Sequence, residues 1–139
     1  MRTVYLIAVA FTAVRACPDD AVAPKPLTGT WGGENAAVIV DDTSAHVHIG
    51  CTVGNITEQL VPDASGRFNL KGQFNITAYP VYRPPDHPAR FSGAIRGRVM
   101  TLTVTLTDTA VTIGPVRVEY GKEPSLGPCP ICRKPGPKP

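Results

Sequence analysis

The chain has 139 residues, 14 Lys and Arg against 11 Asp and Glu, four cysteines and 15 prolines. That length bounds it to one domain with one modest core. A net charge of +3 is far from the dense basic field that attracts nucleic acid, and no apolar run is long enough to span a membrane.

Met1, Arg2 and Thr3 precede the apolar run "VYLIAVAFTAV" and then "RAC". A short basic start, a short apolar stretch and a small residue at the cut describe a secretory signal peptide over residues 1–16. Val14 and Ala16 suit cleavage before Cys17. Cleavage there removes Arg2 and Arg15 and leaves the mature chain near neutrality. The expected address is exported: periplasmic, extracellular or lipid-anchored to the envelope. "VRAC" looks like a bacterial lipobox, which makes Cys17 a lipidation candidate and the only expected link to a membrane. Arg15 departs from that pattern, so anchoring and free release both stay open. Residues 17–27, with "PDDAVAPKP", read as a Pro-rich tether.

Residues 28–120 carry a period of two. "NAAVIV" is a short apolar strand. "AHVHIGCTV" places Ala45, Val47, Ile49, Cys51 and Val53 on one face and His46 and His48 on the other. "FNLKGQFNITA" sets Phe68, Leu70, Gly72, Phe74 and Ile76 against Asn69, Lys71, Gln73 and Asn75. "FSGAIRGRV" turns Phe91, Gly93, Ile95, Gly97 and Val99 one way, and "TLTVTLT" sets Leu102, Val104 and Leu106 against a threonine row. "VTIGPVRVEY" is a last strand interrupted by Gly114-Pro115, as at a sheet edge or a bulge. "DDTS", "PDASG" and "TDTA" are turn-rich connections. One dry and one wet face mark antiparallel sheet. The expected fold is all-β, an up-and-down meander closed or nearly closed into a barrel of about six to eight strands.

One connection is longer. "YPVYRPPDHPAR", residues 79–90, exceeds ordinary hairpin loops and carries Tyr79, Tyr82, Arg83, His87 and Arg90, which nominates it as a ligand or partner surface. After Tyr120 the tail, residues 121–139, has too few apolar residues to fold alone and ends in "GPCPICRKPGPKP".

Two resemblances bear on the barrel. The Gly-x-Trp of "LTGTWGG" resembles the start of lipocalin-like and other calycin barrels, which implies that Trp31 closes one barrel end against an arginine of a late strand. Arg117 of "VRVEY" is the residue in that place. More widely, "GTWGG", the Cys51-to-Ile56 stretch, "DASGRFNLKG" and "PARFSGAIRGRVMTLTVTLTDT" resemble a family of small exported bacterial proteins of unknown function. That resemblance implies a leader, a single β domain and a cysteine near the C-terminus. It implies no reaction and no catalytic residue.

Chemistry-bearing motifs are sparse. The C-x-x-C at Cys129 and Cys132 lacks the helix a redox thiolate needs, because Pro135 and Pro137 follow, and no second C-x-x-C completes a zinc ribbon. A disulfide staple is the expectation. The resembled family's single terminal cysteine implies that Cys129 pairs with Cys51, which leaves Cys132 to pair with Cys17 or stay free. His46 and His48 share a strand face but have no obvious further ligand, so they are read as wet-face residues; no metal, cofactor or catalytic residue is expected. Asn55-Ile56-Thr57 and Asn75-Ile76-Thr77 match the glycosylation pattern, read as coincidence in the bacterial protein that the resemblance implies.

The inward candidates Phe68, Phe74, Phe91, Leu102 and Leu106 are large for a short chain, so a filled core is expected. The functional expectation is therefore a secreted or membrane-tethered β-barrel binding module with a protein or surface partner rather than an enclosed ligand. The alternatives are a structural envelope protein without a discrete site, or a thiol-redox or metal-binding role for Cys129 and Cys132.

Overall fold

The alternating stretches form eight antiparallel strands: β1 (Gly29–Gly33), β2 (Ala36–Val40), β3 (Ala45–Ile49), β4 (Thr52–Ile56), β5 (Arg67–Asn75), β6 (His87–Arg96), β7 (Val99–Leu106) and β8 (Thr112–Tyr120). The computed structural model describes residues 25–77 and 84–129. Residues 1–16, read as a signal peptide, and Cys17, Tyr79, Tyr82, Arg83 and Cys132 lie outside the described residues. Each strand pairs with the next and β8 returns to β1, so the meander closes into a barrel. The fold is all-β and up-and-down, as the periodicity predicts.

Two strands read as continuous are in fact hairpins. "AHVHIGCTV" bends at Gly50-Cys51, where Ile49 pairs with Thr52, and "FSGAIRGRV" bends at Gly97-Arg98, where Arg96 pairs with Val99. Gly50 and Gly97 have φ of 60° and 59°. A two-residue turn with a left-handed glycine first matches the twist of the flanking strands. Cys51 is therefore a turn residue rather than a member of the apolar strand face, and Gly97 points into no core. The Gly114-Pro115 interruption is a bulge and not an edge. Leu102 pairs with Val116 but Val104 pairs with Ile113, which places one extra residue on β8.

The barrel has two ends. At the entry end, where β1 begins, lie the connections 41–44, 57–66 and 97–98; at the far end lie 34–35, 50–51 and 107–111, with the end of β5 and the start of β6. Side chains fill the interior between them. Phe74, Phe91, Met100, Val47 and Val104 are wholly buried, and Leu60 from the 57–66 connection joins the same cluster at the entry end. An eight-stranded barrel is about wide enough for side chains alone. Inward glycines make room for the rings. A Cβ on Gly72 would lie 2.8 Å from Phe91 Cε2, and one on Gly93 would lie 2.7 Å from Phe68 Cζ. Phe74 and Phe91 meet at a centroid distance of 6.1 Å and an interplanar angle of 60°.

The seam between β1 and β8 is the thin part of the wall. Only Trp31–Tyr120 and Gly32–Glu119 pair across it. The tail after β8 covers the gap. It runs toward the far end, with Gly121 N donating to Thr30 O at 2.8 Å, Ser125 N to Gly33 O at 3.0 Å, and Asn35 N to Ser125 O at 2.8 Å. It passes so close over Gly32 that a Cβ there would lie 2.6 Å from Pro124 N. A disulfide then joins Cys129 to Cys51 with a Cα separation of 5.4 Å. The tail is thus a strap, hydrogen-bonded along β1 and locked to the β3–β4 turn.

Aspartates organise two of the turns. Asp41 accepts hydrogen bonds from Thr43 N at 2.9 Å and from Ser44 N and Oγ, both at 2.7 Å. These bonds, the Thr43 amide first, lower its pKa from 3.8 to about 2. Asp63 is lowered by the Ser65 hydroxyl and then the Arg67 amide, and Asp108 by its hydrogen bond from His87. A carboxylate whose folded pKa is depressed stabilises the fold above its unfolded pKa and loses that contribution as pH falls through the folded value. The urea midpoint is accordingly expected to hold steady above about pH 5 and to decline from about pH 4 toward 2. Asp41→Asn should flatten part of that decline; an unchanged profile in that variant would remove Asp41 from the account.

Candidate functional site

Among the described residues, chemistry-bearing side chains gather at several places on the barrel. The first is the β5–β6 connection, which spans 76–86 rather than 79–90 because β6 already begins at His87. Asn75, 3% exposed, fixes its start: its Nδ2 donates to Asp86 Oδ1 and its Oδ1 accepts from Thr77 N. Buried Asn75 is no glycan acceptor in the folded state, whereas Asn55 is exposed. The nominated residues do not form one described surface. His87 Nδ1 bonds Asp108 Oδ2 at 2.8 Å, which ties β6 to the β7–β8 turn at the far end. Arg90 sits three residues up the outer wall of β6, where its Nε donates to Asn69 Oδ1 at 2.9 Å. Both are half-buried and engaged in cross-strand contacts.

The second place is the entry end around Trp31. Its ring is buried and meets Tyr120 edge-on at 5.2 Å between centroids. Gly29 permits this, since a Cβ there would lie 3.2 Å from Tyr120 Cζ. The guanidinium beside the pair belongs to Arg98 of the β6–β7 turn, not to Arg117. Arg98 lies 5.5 Å over the Tyr120 ring and donates to Tyr120 O at 2.7 Å. Arg117 instead pairs with Thr101 and borders a separate recess with Glu34, Glu119 and Lys122. Trp31, Tyr120 and Arg98, with Lys25, Leu27 and Thr28, line a recess of about 310 Å³. Among the described residues, two cations and no carboxylate line it. Trp31 Nε1 is buried and has no hydrogen-bond acceptor among the described residues, an uncommon state for a polar group.

The third place is the outer wall of β3 and β4. His46 Nδ1 lies 2.6 Å from Asn55 Oδ1, and His46 Nε2 lies 2.9 Å from His48 Nε2. The rings meet at 75° with centroids 4.6 Å apart. Partial burial and then the neighbouring imidazole lower the pKa of His48.

Arg98, Lys25 and Tyr120 were not singled out by the sequence. A Gly-x dipeptide between two strands was the available signal for Arg98, because it places the x residue at a barrel end. Cys129 is bonded to Cys51, so it is not the partner of Cys132 in a dithiol centre. Comparison of the chain with protein families, with curated proteins and with solved structures finds no match.

Proposed function

We propose that the protein is an exported binding module whose site is the entry-end recess of Trp31, Tyr120, Arg98 and Lys25. The observation that carries this reading is that the barrel interior is packed with side chains while this recess combines an aromatic floor with two cations. A filled barrel leaves binding to its rim and outer wall. Tyr, Trp and Arg are the residue types enriched where binding energy concentrates. Arg98 and Lys25 support a ligand that brings negative charge. The partner chemistry is an acidic segment of a protein, with a carboxylate for the cations and an apolar neighbour for the rings. The disulfide is compatible with an oxidising compartment, which favours export. The leader read at residues 1–16 and the resemblance to small exported bacterial proteins point the same way.

Capture of partners from the native envelope and culture fluid tests the site. Wild type and a variant lacking residues 78–83 are expected to recover the same proteins. The Arg98→Glu/Lys25→Glu variant is expected to lose them, with at least a tenfold weaker Kd for any partner purified. Equal recovery by the charge-reversed variant would refute the recess, and loss confined to the loop deletion would move the site to the β5–β6 connection.

A further inference from the structure

We propose that His46 and His48 form a bidentate binding site for a divalent transition metal with a square or octahedral preference, Cu(II) or Ni(II), on the outer wall of the barrel. The site is independent of the entry-end recess.

The strand places both imidazoles on one face, and the geometry brings their Nε2 atoms to 2.9 Å. Metal–nitrogen bonds to histidine are about 2.0–2.1 Å, so two nitrogens 2.9 Å apart can share one ion at an angle of about 90°. A tetrahedral zinc angle would need them about 3.3 Å apart. The ring positions agree independently. Rings converging on one ion at right angles, each centre about 1.1 Å behind its nitrogen, would have centroids about 4.5 Å apart. The observed separation is 4.6 Å. Rings meeting nitrogen to nitrogen along a straight line would instead stand about 5 Å apart. The separation of 4.6 Å falls short of that straight-line value and matches two imidazoles angled toward a common point beside the line joining them. Cis angles near 90° belong to tetragonal and octahedral metals, and affinity for nitrogen donors rises toward Cu(II).

Asn55 supplies the outer support. Its Oδ1 accepts from His46 Nδ1–H, and that tautomer leaves the Nε2 lone pair of His46 free for an ion. In the metal-free state His48 Nε2–H donates to His46 Nε2. Binding an ion moves that proton to His48 Nδ1 and frees the second lone pair, with no change in net charge of the neutral pair. The positions paired with the histidines on β2 and β4 are Ile39, Ala37, Asn55 and Val53, none of them charged. No third His, Cys, Asp or Glu joins the pair among the described residues. The remaining coordination positions belong to water or to an anion, which makes this an exchangeable site rather than a closed structural one.

Titration of the full chain with Cu(II) and separately with Ni(II), after alkylation of free thiols, tests the proposal, with Zn(II) as comparison. Expected results are one equivalent bound, nitrogen hyperfine splitting from two imidazoles in the Cu(II) electron paramagnetic resonance spectrum, and weaker Zn(II) binding. His46→Gln and His48→Gln should each weaken binding at least tenfold, and Asn55→Ala should weaken it by a smaller factor. All three sit on the outer wall, and unchanged unfolding midpoints in metal-free buffer will confirm that they fold. Equal affinity in wild type and the His46→Gln/His48→Gln variant would overturn the site. Tighter Zn(II) than Cu(II) binding would overturn its right-angle geometry.

Discussion

Replacing Cys51 and Cys129 by serine is expected to destabilise the folded protein by about 4 kcal/mol, on the chain-entropy account of a long closed loop. The cysteines are 78 residues apart in sequence, so the bridge removes a large share of the unfolded chain's freedom. For a domain of this size the melting temperature should drop by roughly 15–30 °C. Neither residue is in the core, so the serines leave no cavity to add to the effect. The bridge also holds the strap over the weakly paired β1–β8 seam, which predicts where the loss is felt first. Amide exchange at Gly121, Ser125 and Asn35 should accelerate more than at Phe91, whose hydrogen bonds lie in the longest hairpins. Urea titration and hydrogen exchange of oxidised wild type and double variant provide the measurement. An unchanged midpoint would mean that the strap adds nothing to closure.

A comparable loss is expected from the centre of the barrel. Phe91→Ala removes a wholly buried ring from a packed interior and should cost about 3–5 kcal/mol. The glycine opposite that ring fails in the other direction. Gly72→Ala drives a methyl against Phe91 and against the backbone of Asn55, an overpacking penalty of about 1–3 kcal/mol or more. Because Gly72 and Phe91 occupy one space, their substitutions should not add. Gly72→Ala in a Phe91→Leu background should cost less than in wild type, by a coupling of about 1 kcal/mol. Denaturant midpoints of the four proteins close the cycle, and additive costs would show that the backbone, not the ring, resists the methyl.

The strands were legible where a polar residue separates each apolar one over many positions, as in "FNLKGQF" and "TLTVTL". They were misread where a hairpin takes only two residues and an outward apolar side chain keeps the rhythm going. Val53 and Val99 did this after the Gly50-Cys51 and Gly97-Arg98 turns. Cys51 looked like a strand residue and Arg98 like a wet-face residue. With the second turn hidden, nothing indicated that Arg98 stands at the barrel end beside Trp31 and Tyr120, and Arg117 took its place by analogy. The histidine pair was visible as a spacing, but the convergence of its nitrogens and its Asn55 support depend on the register of β3 against β4. Register is a property of pairing, and the missed turn concealed it.

The Cys51–Cys129 bond also decides how the molecule would yield to a pull. Tension applied between the segment before β1 and the chain beyond Cys129 travels through β1, β2 and β3 to Cys51 and crosses the sulfurs. Strands β4 to β8 lie in the bypassed ring and carry no load. Fully drawn out between Lys25 and Cys129, the oxidised chain lengthens to roughly 90 Å, against roughly 350 Å once the bond is cut. A protein tethered at one terminus and held at the other would surrender three strands to force and keep five coiled in reserve.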